Sequence, residues 1–273
     1  MTRATTTGIA YDREGPTDAQ AVLLLHAGVA DRRMWDDHFA TLTAEFDVVR
    51  LDLRGFGASD RQPAEALSAV GDVVDTLTEL DITGCHVVGA SLGAGVAVEV
   101  ALTRPDLVTS LLLAAPGGSL LTEATPDLMA FFAAERAALG DHDLDRAVEA
   151  NLATWVDGPR RGPGDVDAGL RAAVGQMQRR AFEISAGWGD VEEVELDPPT
   201  ASRLAEVSAP TLVLSGALDL DTCLLAADAV ADTIPGARRV DWGDAGHLPS
   251  LERPADFAAL LRGWLVEHDR HPT

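Results

Sequence analysis

The sequence predicts a doubly wound α/β domain with a mostly parallel sheet and an inserted helical cap. Three observations carry this. Short Val/Leu-rich runs recur along the chain, helix-length amphipathic segments separate most of them, and the alternation stops between about 116 and 209, where helical patterns succeed one another. The runs are 21–26 (AVLLLH), 47–53 (DVVRLDL), 85–90 (CHVVGA), 108–115 (LVTSLLLA) and 210–215 (PTLVLS). Continuous apolar composition, rather than strict alternation, marks strands of a parallel sheet covered by helices on both faces. Residues 64–80 set Leu67, Val70, Val74, Leu77 and Leu80 at helical spacing. In 254–266, Pro254 suits a first helical turn, and Phe257, Leu260, Leu261 and Trp264 form one apolar face. Within the interruption, 126–139, 143–156 and 166–186 read as helices around the loop DGPRRGPGD at 157–165. The expected division is therefore a core of 1–117 with 206–273, and a cap of 118–205. Open α/β sheets bind ligands outside the carboxyl ends of their strands, so an insertion leaving one strand end and returning before the next covers that site.

Composition excludes several classes of function. The chain has 273 residues, and its 21 basic side chains, all Arg, face 44 acidic ones, for a formal charge of −23. A field this negative repels nucleic acid and anionic lipid. Without lysine there is no Schiff base, no pyridoxal phosphate aldimine and no phosphate-loop lysine. The residues call for no cofactor and no metal. Apolar and charged fractions of 47% and 24% are those of a chain that buries a core. The first 15 residues lack the apolar stretch of a secretory signal, and the most apolar run, 87–102, is interrupted by Ser91, Gly93, Gly95 and Glu99, so no span is expected. Cys85 and Cys223 are too few and too far apart for a disulfide framework or a metal knuckle. They read as small buried hydrophobes of a cytoplasmic protein with no chemical role.

The strongest chemical signal is Gly89-Ala90-Ser91-Leu92-Gly93, which follows the strand CHVV and precedes a helical pattern. A strand-to-helix turn is where these glycines have a physical purpose: they let strand and helix approach closely and lift the Ser91 hydroxyl above the sheet edge, at a helix N-terminus that favours negative charge. A serine hydroxyl needs a base, and the base needs an orienting carboxylate. Of seven histidines, His247 in DAGHLPSLERP stands in a loop between a strand and the last helix and is the expected general base. His26, ending the first long strand, is expected to shape the neighbouring loop. His268 and His271 read as tail residues, and His38 as part of a polar helical stretch. Asp219 follows the strand PTLVL, 28 residues before His247, and is the leading orienting acid, with Asp221 as runner-up. The preceding strand ends Ala114-Ala115-Pro116-Gly117-Gly118 without a carboxylate. An oxyanion would take backbone donors from Leu92 and from the loop after the first long strand, with Gly28 preferred over Val29.

These motifs resemble the α/β-hydrolase superfamily, and the resemblance covers nearly the whole chain. HAGVADRRMW at 26–35, DLRGFGASD at 52–60, GASLG at 89–93, and GALD at 216–219 with AGHLPSLERP at 245–254 carry it. In that family the D-x-R-G-x-G-x-S loop, here Asp52, Arg54, Gly55, Gly57 and Ser59, is structural. Relatives commonly have Gly where this chain has Ala27. The resemblance implies a serine hydrolase, since Ser91 stands where dehalogenases and epoxide hydrolases have Asp, and the one tyrosine is Tyr11. The expected partner is a small carboxylic ester or lactone, with carbon–carbon bond hydrolysis and cofactor-free perhydrolysis as alternatives on the same fold, and an idle small-molecule receptor as the alternative of another class. Candidate substrate contacts are Val29 and, from the cap, Met129, Phe132 and Trp155. Arg160 and Arg161 read as solvated surface arginines, with a substrate carboxylate as their other possible partner. The negative field favours neutral substrates.

Overall fold

In the computed structural model, which describes residues 3–269, the chain builds an eight-stranded sheet of order β1-β2-β4-β3-β5-β6-β7-β8. β1 (Arg3–Ala4) and β2 (Ala10–Glu14) form a hairpin that pairs antiparallel with β4 (Asp47–Leu51). The remaining ladders, through β3 (Ala21–Leu25), β5 (Cys85–Ala90), β6 (Val108–Ala114), β7 (Thr211–Gly216) and β8 (Arg238–Trp242), are parallel. The short β1 and β2 carry Arg, Asp and Glu at the sheet margin and lack the apolar run that reveals the inner strands.

Side-chain alternation divides the core into two layers. Leu23, Leu25, Val87, Leu111 and Val213 face α2 (Ala69–Glu79), α3 (Leu92–Thr103) and α7 (Asp221–Thr233). Val22, Leu24, Val88, Leu112 and Leu214 face α1 (Asp36–Leu42) and α9 (Pro254–His268), where Phe257 and Leu261 are fully buried. Both faces are covered, as continuous apolar strands require.

Between β6 and β7 lie α4 (Pro126–Gly140), α5 (Leu144–Asn151), a π-helical turn (Leu152–Asp157) and α6 (Ala168–Ser185). Their buried residues Leu152, Val156, Val174, Met177 and Phe182 join the α1/α9 layer of the core. A final short helix, α8 (Pro249–Glu252), precedes α9.

The structure departs from the sequence-based expectations at several points. The helix read over 64–80 begins only at Ala69, because the Ser68 side chain accepts from Gly71 N–H at 3.1 Å and caps it. Leu67 instead pairs with the 192–194 strap, its N–H donating to Glu192 O at 2.7 Å and its carbonyl accepting from Val194 N–H at 2.8 Å. His268 belongs to α9 and stacks on Trp264 at 3.9 Å, while His271 lies outside the described residues. His38 is buried rather than polar-facing: its ring packs on Phe257 at 4.9 Å and its Nε2–H donates to Ser250 O at 3.1 Å. No helix among the described residues is long and apolar enough to cross a membrane.

The family-like loop after β4 is a polar knot. Asp52 accepts from Arg32 N–H at 2.8 Å and Ala58 N–H at 2.7 Å and pairs with the Arg32 guanidinium. Ser59 Oγ–H donates to Asp52 O at 2.8 Å, and Gly57, at φ +53°, leaves no room for a Cβ beside the Asp52 carboxylate. His26 closes the knot: its Nδ1–H donates to Ala27 O at 2.8 Å, and its Nε2 accepts from Leu53 N–H at 2.9 Å. Those bonds require the neutral ring. Burial lowers the pKa of both His26 and His38 below the usual imidazole value. The unfolded chain therefore takes up protons first as pH falls below about 6.5, so stability present at neutral pH is lost toward acid. The expected outcome is a Tm that falls between pH 7.5 and 5.5, with a shallower fall in His38→Gln, read by thermal unfolding across that range.

Candidate active site

The site is built where three parallel strands end. β5 runs into α3 through Ser91, whose backbone is forced to φ +50°, ψ −113°. No β-carbon fits at the flanking positions: at Gly89 it would lie 2.3 Å from Gly93 O, and at Gly93 it would lie 2.5 Å from Leu25 O. Strand, helix and the neighbouring β3 thus touch backbone to backbone, and the chain passes through the turn with a non-glycine residue at positive φ. Ser91 N–H donates to Ala114 O at 2.9 Å, and Ala115 N–H donates to Leu214 O at 2.7 Å, so the ladder continues past the strands and holds the strained turn.

The structure brings Ser91, His247 and Asp219 together although 156 and 28 residues separate the pairs. His247 Nδ1–H donates to Asp219 Oδ2 at 2.8 Å and Oδ1 at 3.0 Å. With its proton on Nδ1, His247 Nε2 is left to accept from the Ser91 hydroxyl at 2.8 Å. Asp219 Oδ1 also accepts from Leu220 N–H at 2.7 Å, and both His247 and Asp219 are buried. Asp221, by contrast, is mostly exposed and pairs with Arg160 at 2.5 Å.

Leu92 supplies the first helical amide of α3, a donor that helix geometry leaves without an intrahelical acceptor. A Cβ at Gly28 would stand 3.5 Å from the Leu92 Cβ, so the loop after β3 adjoins this helix start. Val29 is buried in the layer facing α1 and α9. Sequence reasoning missed Gly117: a Cβ there would lie 2.9 Å from Ser91 Oγ, so only glycine gives the hydroxyl its space. Trp155 packs on the His247 ring at 4.7 Å, and Phe131 meets Trp155 edge-on at 5.3 Å. Phe132 touches Phe131 at 5.3 Å but is 42% exposed, and Met129 is 54% exposed. Both lie on the outer side of α4.

Cys223 is a third buried donor beside Asp219 and His247, with the ligand atoms all within 4.8 Å of one another. Burial and the Asp219 charge push its thiol well above the usual range, so it stands there neutral; burial alone takes Cys85 up to about 12.

Arg160 is exposed, as a solvated surface arginine would be, whereas Arg161 is nearly buried, and the guanidinium groups of both are engaged by the protein. The Arg160 guanidinium donates to the Asp219 carbonyl and to Asp221. Arg161 donates to the Val156 and Asp157 carbonyls at 2.9 and 3.0 Å, closing the π-helical turn, and pairs with Glu252. Glu252 in turn accepts from Gly246 N–H at 3.0 Å and Leu248 N–H at 3.2 Å, the amides on either side of His247. The two arginines therefore clamp the helical segment onto both loops that carry the acid and the histidine. A lone acidic residue in LERP carries no sequence signal for this.

Fold and site together define an α/β enzyme of the hydrolase type. The chain belongs to the alpha/beta hydrolase family, whose model matches residues 22–260. BpoC of Mycobacterium tuberculosis, a protein named for non-heme bromoperoxidases, is 30% identical over 266 residues, covering 93% of this chain and 96% of its own. A 3-oxoadipate enol-lactonase from Acinetobacter baylyi is 25% identical over 252 residues, covering 92% and 90%. Among solved structures, Est816, described as an N-acyl homoserine lactone degrading enzyme, superposes with a TM-score of 0.73 at 25% identity, covering 96% of this chain and 99% of its own.

The clamp makes a stability contrast. Arg161 and Glu252 are nearly buried, at 11% and 9% side-chain exposure, and removing one partner of such a pair costs about 3–5 kcal/mol. The Arg160–Asp221 pair is exposed, and such pairs are worth about 0–1 kcal/mol. Denaturant unfolding should show Arg161→Ala destabilised by the larger amount and Asp221→Asn by the smaller; equal, small losses would remove Arg161 from its place as the clamp.

Proposed function

We propose that the protein is a serine hydrolase acting on a small, neutral carboxylic ester or lactone through an acyl-enzyme on Ser91. The observation that carries this is the unbroken chain of hydrogen bonds from Ser91 Oγ through His247 to Asp219. In this reading His247 Nε2 takes the Ser91 proton as Oγ attacks the substrate carbonyl, and then delivers it to the leaving alkoxide. Asp219 keeps the second imidazole proton on Nδ1 and stabilises the imidazolium formed on the way. The backbone N–H groups of Leu92 and Gly28 receive the charge on the carbonyl oxygen, aided by the α3 N-terminus. Water, deprotonated by the same histidine, attacks the acyl-enzyme and releases the acid. The enol-lactonase and lactone-degrading relatives support the ester or lactone class, and the charge of −23 supports neutral substrates over anionic ones.

In the same reading, residues 118–205 act as a cap over the strand ends, and Trp155, packed on His247, walls the site and keeps water from the intermediate. Val29 lies in the loop that supplies the Gly28 donor.

A fluorophosphonate probe should label Ser91 in the folded protein, and Ser91→Ala should abolish both labelling and turnover of p-nitrophenyl butyrate. Asp219→Asn should leave the fold intact and lower kcat by up to about 10⁴-fold, while Asp221→Asn leaves it near wild type. A folded wild-type protein that neither labels nor turns over any ester, lactone, peracid-forming or vinylogous diketone substrate would point to a receptor instead.

Trp155→Ala is expected to change the ratio of kcat/KM between short and long acyl esters by about 1–3 kcal/mol, the scale of one altered apolar contact. An unchanged chain-length preference with a lowered Tm would assign the ring to packing alone.

A further inference from the structure

Two cavities flank the start of α3, separated by Phe56 and Leu67. One of about 560 Å³ reaches Leu92 and Gly118, and one of about 320 Å³ reaches Gly28. The smaller is walled by Phe56, Leu67, Phe182 and Trp188, with Gln178 among its lining residues. Gln178 is on α6, on the face that also presents Ala181, Phe182 and Ser185 to this space. Only 5% of the residue is exposed, and its Oε1 has no hydrogen-bond partner among the described residues.

A buried carboxamide oxygen without a donor is costly and uncommon, and nothing about α6 packing requires it, because its neighbours on that face are apolar or small. The cost is recovered if a ligand supplies the missing donor. From the cavity's position beside Gly28, we infer that Gln178 is a specificity-determining residue that hydrogen-bonds a neutral N–H or O–H on the substrate, so that the favoured substrates are esters or lactones carrying an amide or hydroxyl group. The inference rests on the ester or lactone reading of the Ser91 site. The neighbouring charges leave this role to Gln178. Arg54, which also lines the cavity, is held by Asp72 and by the Thr7 and Arg61 carbonyls, with its Nε donating to Asp72 at 2.8 Å. Trp188 Nε1–H is engaged with Asp60 O at 3.1 Å. Glu193 at the rim is exposed and acidic, which disfavours an anionic ligand group. A carboxamide turned end for end would present its NH₂ to the same space and call for an acceptor instead, and the donor-bearing members of the pairs below would then show no preference.

The test reads binding without turnover, in Ser91→Ala protein, by calorimetry. It uses ester pairs that differ only by an N–H or O–H, such as ethyl N-butanoylglycinate against ethyl 4-oxoheptanoate, and ethyl 3-hydroxyheptanoate against ethyl heptanoate. At least one donor-bearing member should bind about 10-fold or more tightly than its partner, and that ratio should collapse to within about 2-fold in Gln178→Leu and in Gln178→Met. Both variants should also have an unliganded Tm at or above that of the parent, because a buried unpaired polar group has been removed. No preference in any pair, a preference that survives both substitutions, or no binding at all would overturn the inference. So would a lowered Tm with the ratio unchanged, which would assign the amide to packing. Failure of the hydrolase reading shows elsewhere, as a wild-type protein with no phosphonate adduct on Ser91 and no ester turnover.

Discussion

Everything at the functional end of this molecule depends on three pieces of backbone packed without side chains between them. β5, the first turn of α3 and the end of β3 meet at Gly89, Gly93 and the Leu25 carbonyl, with no space for a single β-carbon. Serine at the apex then stands at positive φ, with its hydroxyl in the space beside Gly117. The same contact aims the α3 N-terminus at the hydroxyl and brings the loop after β3 alongside. The position of the Ser91 hydroxyl, the helix field and the neighbouring amides are consequences of one steric condition rather than three separate arrangements.

The histidine and its acid are held differently, by charge and hydrogen bonds on loops. Glu252 grips the amides either side of His247 and hands its remaining capacity to Arg161, while Arg160 takes the Asp219 carbonyl. Both arginines leave from the loop just after the π-helical turn, so the helical segment between β6 and β7 is bonded to the loops that carry the acid and the histidine. Lifting that segment as a rigid body would break a nearly buried ion pair, so it is fixed to the loops beneath it.

Much of this was legible because parallel sheets write themselves as uninterrupted apolar runs, and because a serine between glycines has a physical meaning only where a strand becomes a helix. His247 and Asp219 could be located by the rule that chemistry gathers at carboxyl strand ends, and the structure does bring both to Ser91. What could not be read depended on partners distant in the chain. β1 and β2 are marginal and polar, so they lack a hydrophobic signature. Arg160 and Arg161 look alike in sequence, and only their acceptors at 219, 221 and 252 leave the first exposed and bury the second. His38 sits among acids in sequence, yet α9 buries it. Leu67 continues the helical stripe of its neighbours, but the Ser68 cap and the 192–194 strap claim it for a bridge. Gln178 reads as an ordinary polar position of an amphipathic helix, and only the burial of that face sets it apart.

The turn at Leu152–Asp157 is wound one residue wider than the α-helix it extends, as the bond from Gly158 N–H to Ala153 O shows. Each α-helical residue advances about 100° around the axis, so one residue more or fewer in this stretch changes the angular phase between α5 and the chain beyond the turn. Trp155 stands inside that stretch, facing the His247 ring. A single-codon insertion or deletion here is therefore a rotary event: it would swing the indole around the helix axis and put a different side chain against the imidazole, with the sheet and the Ser91 turn untouched. Among descendants of such a chain, differences in reaction preference would be written in helix phase as much as in residue identity, and an alignment that tolerates a gap at this turn would conceal them.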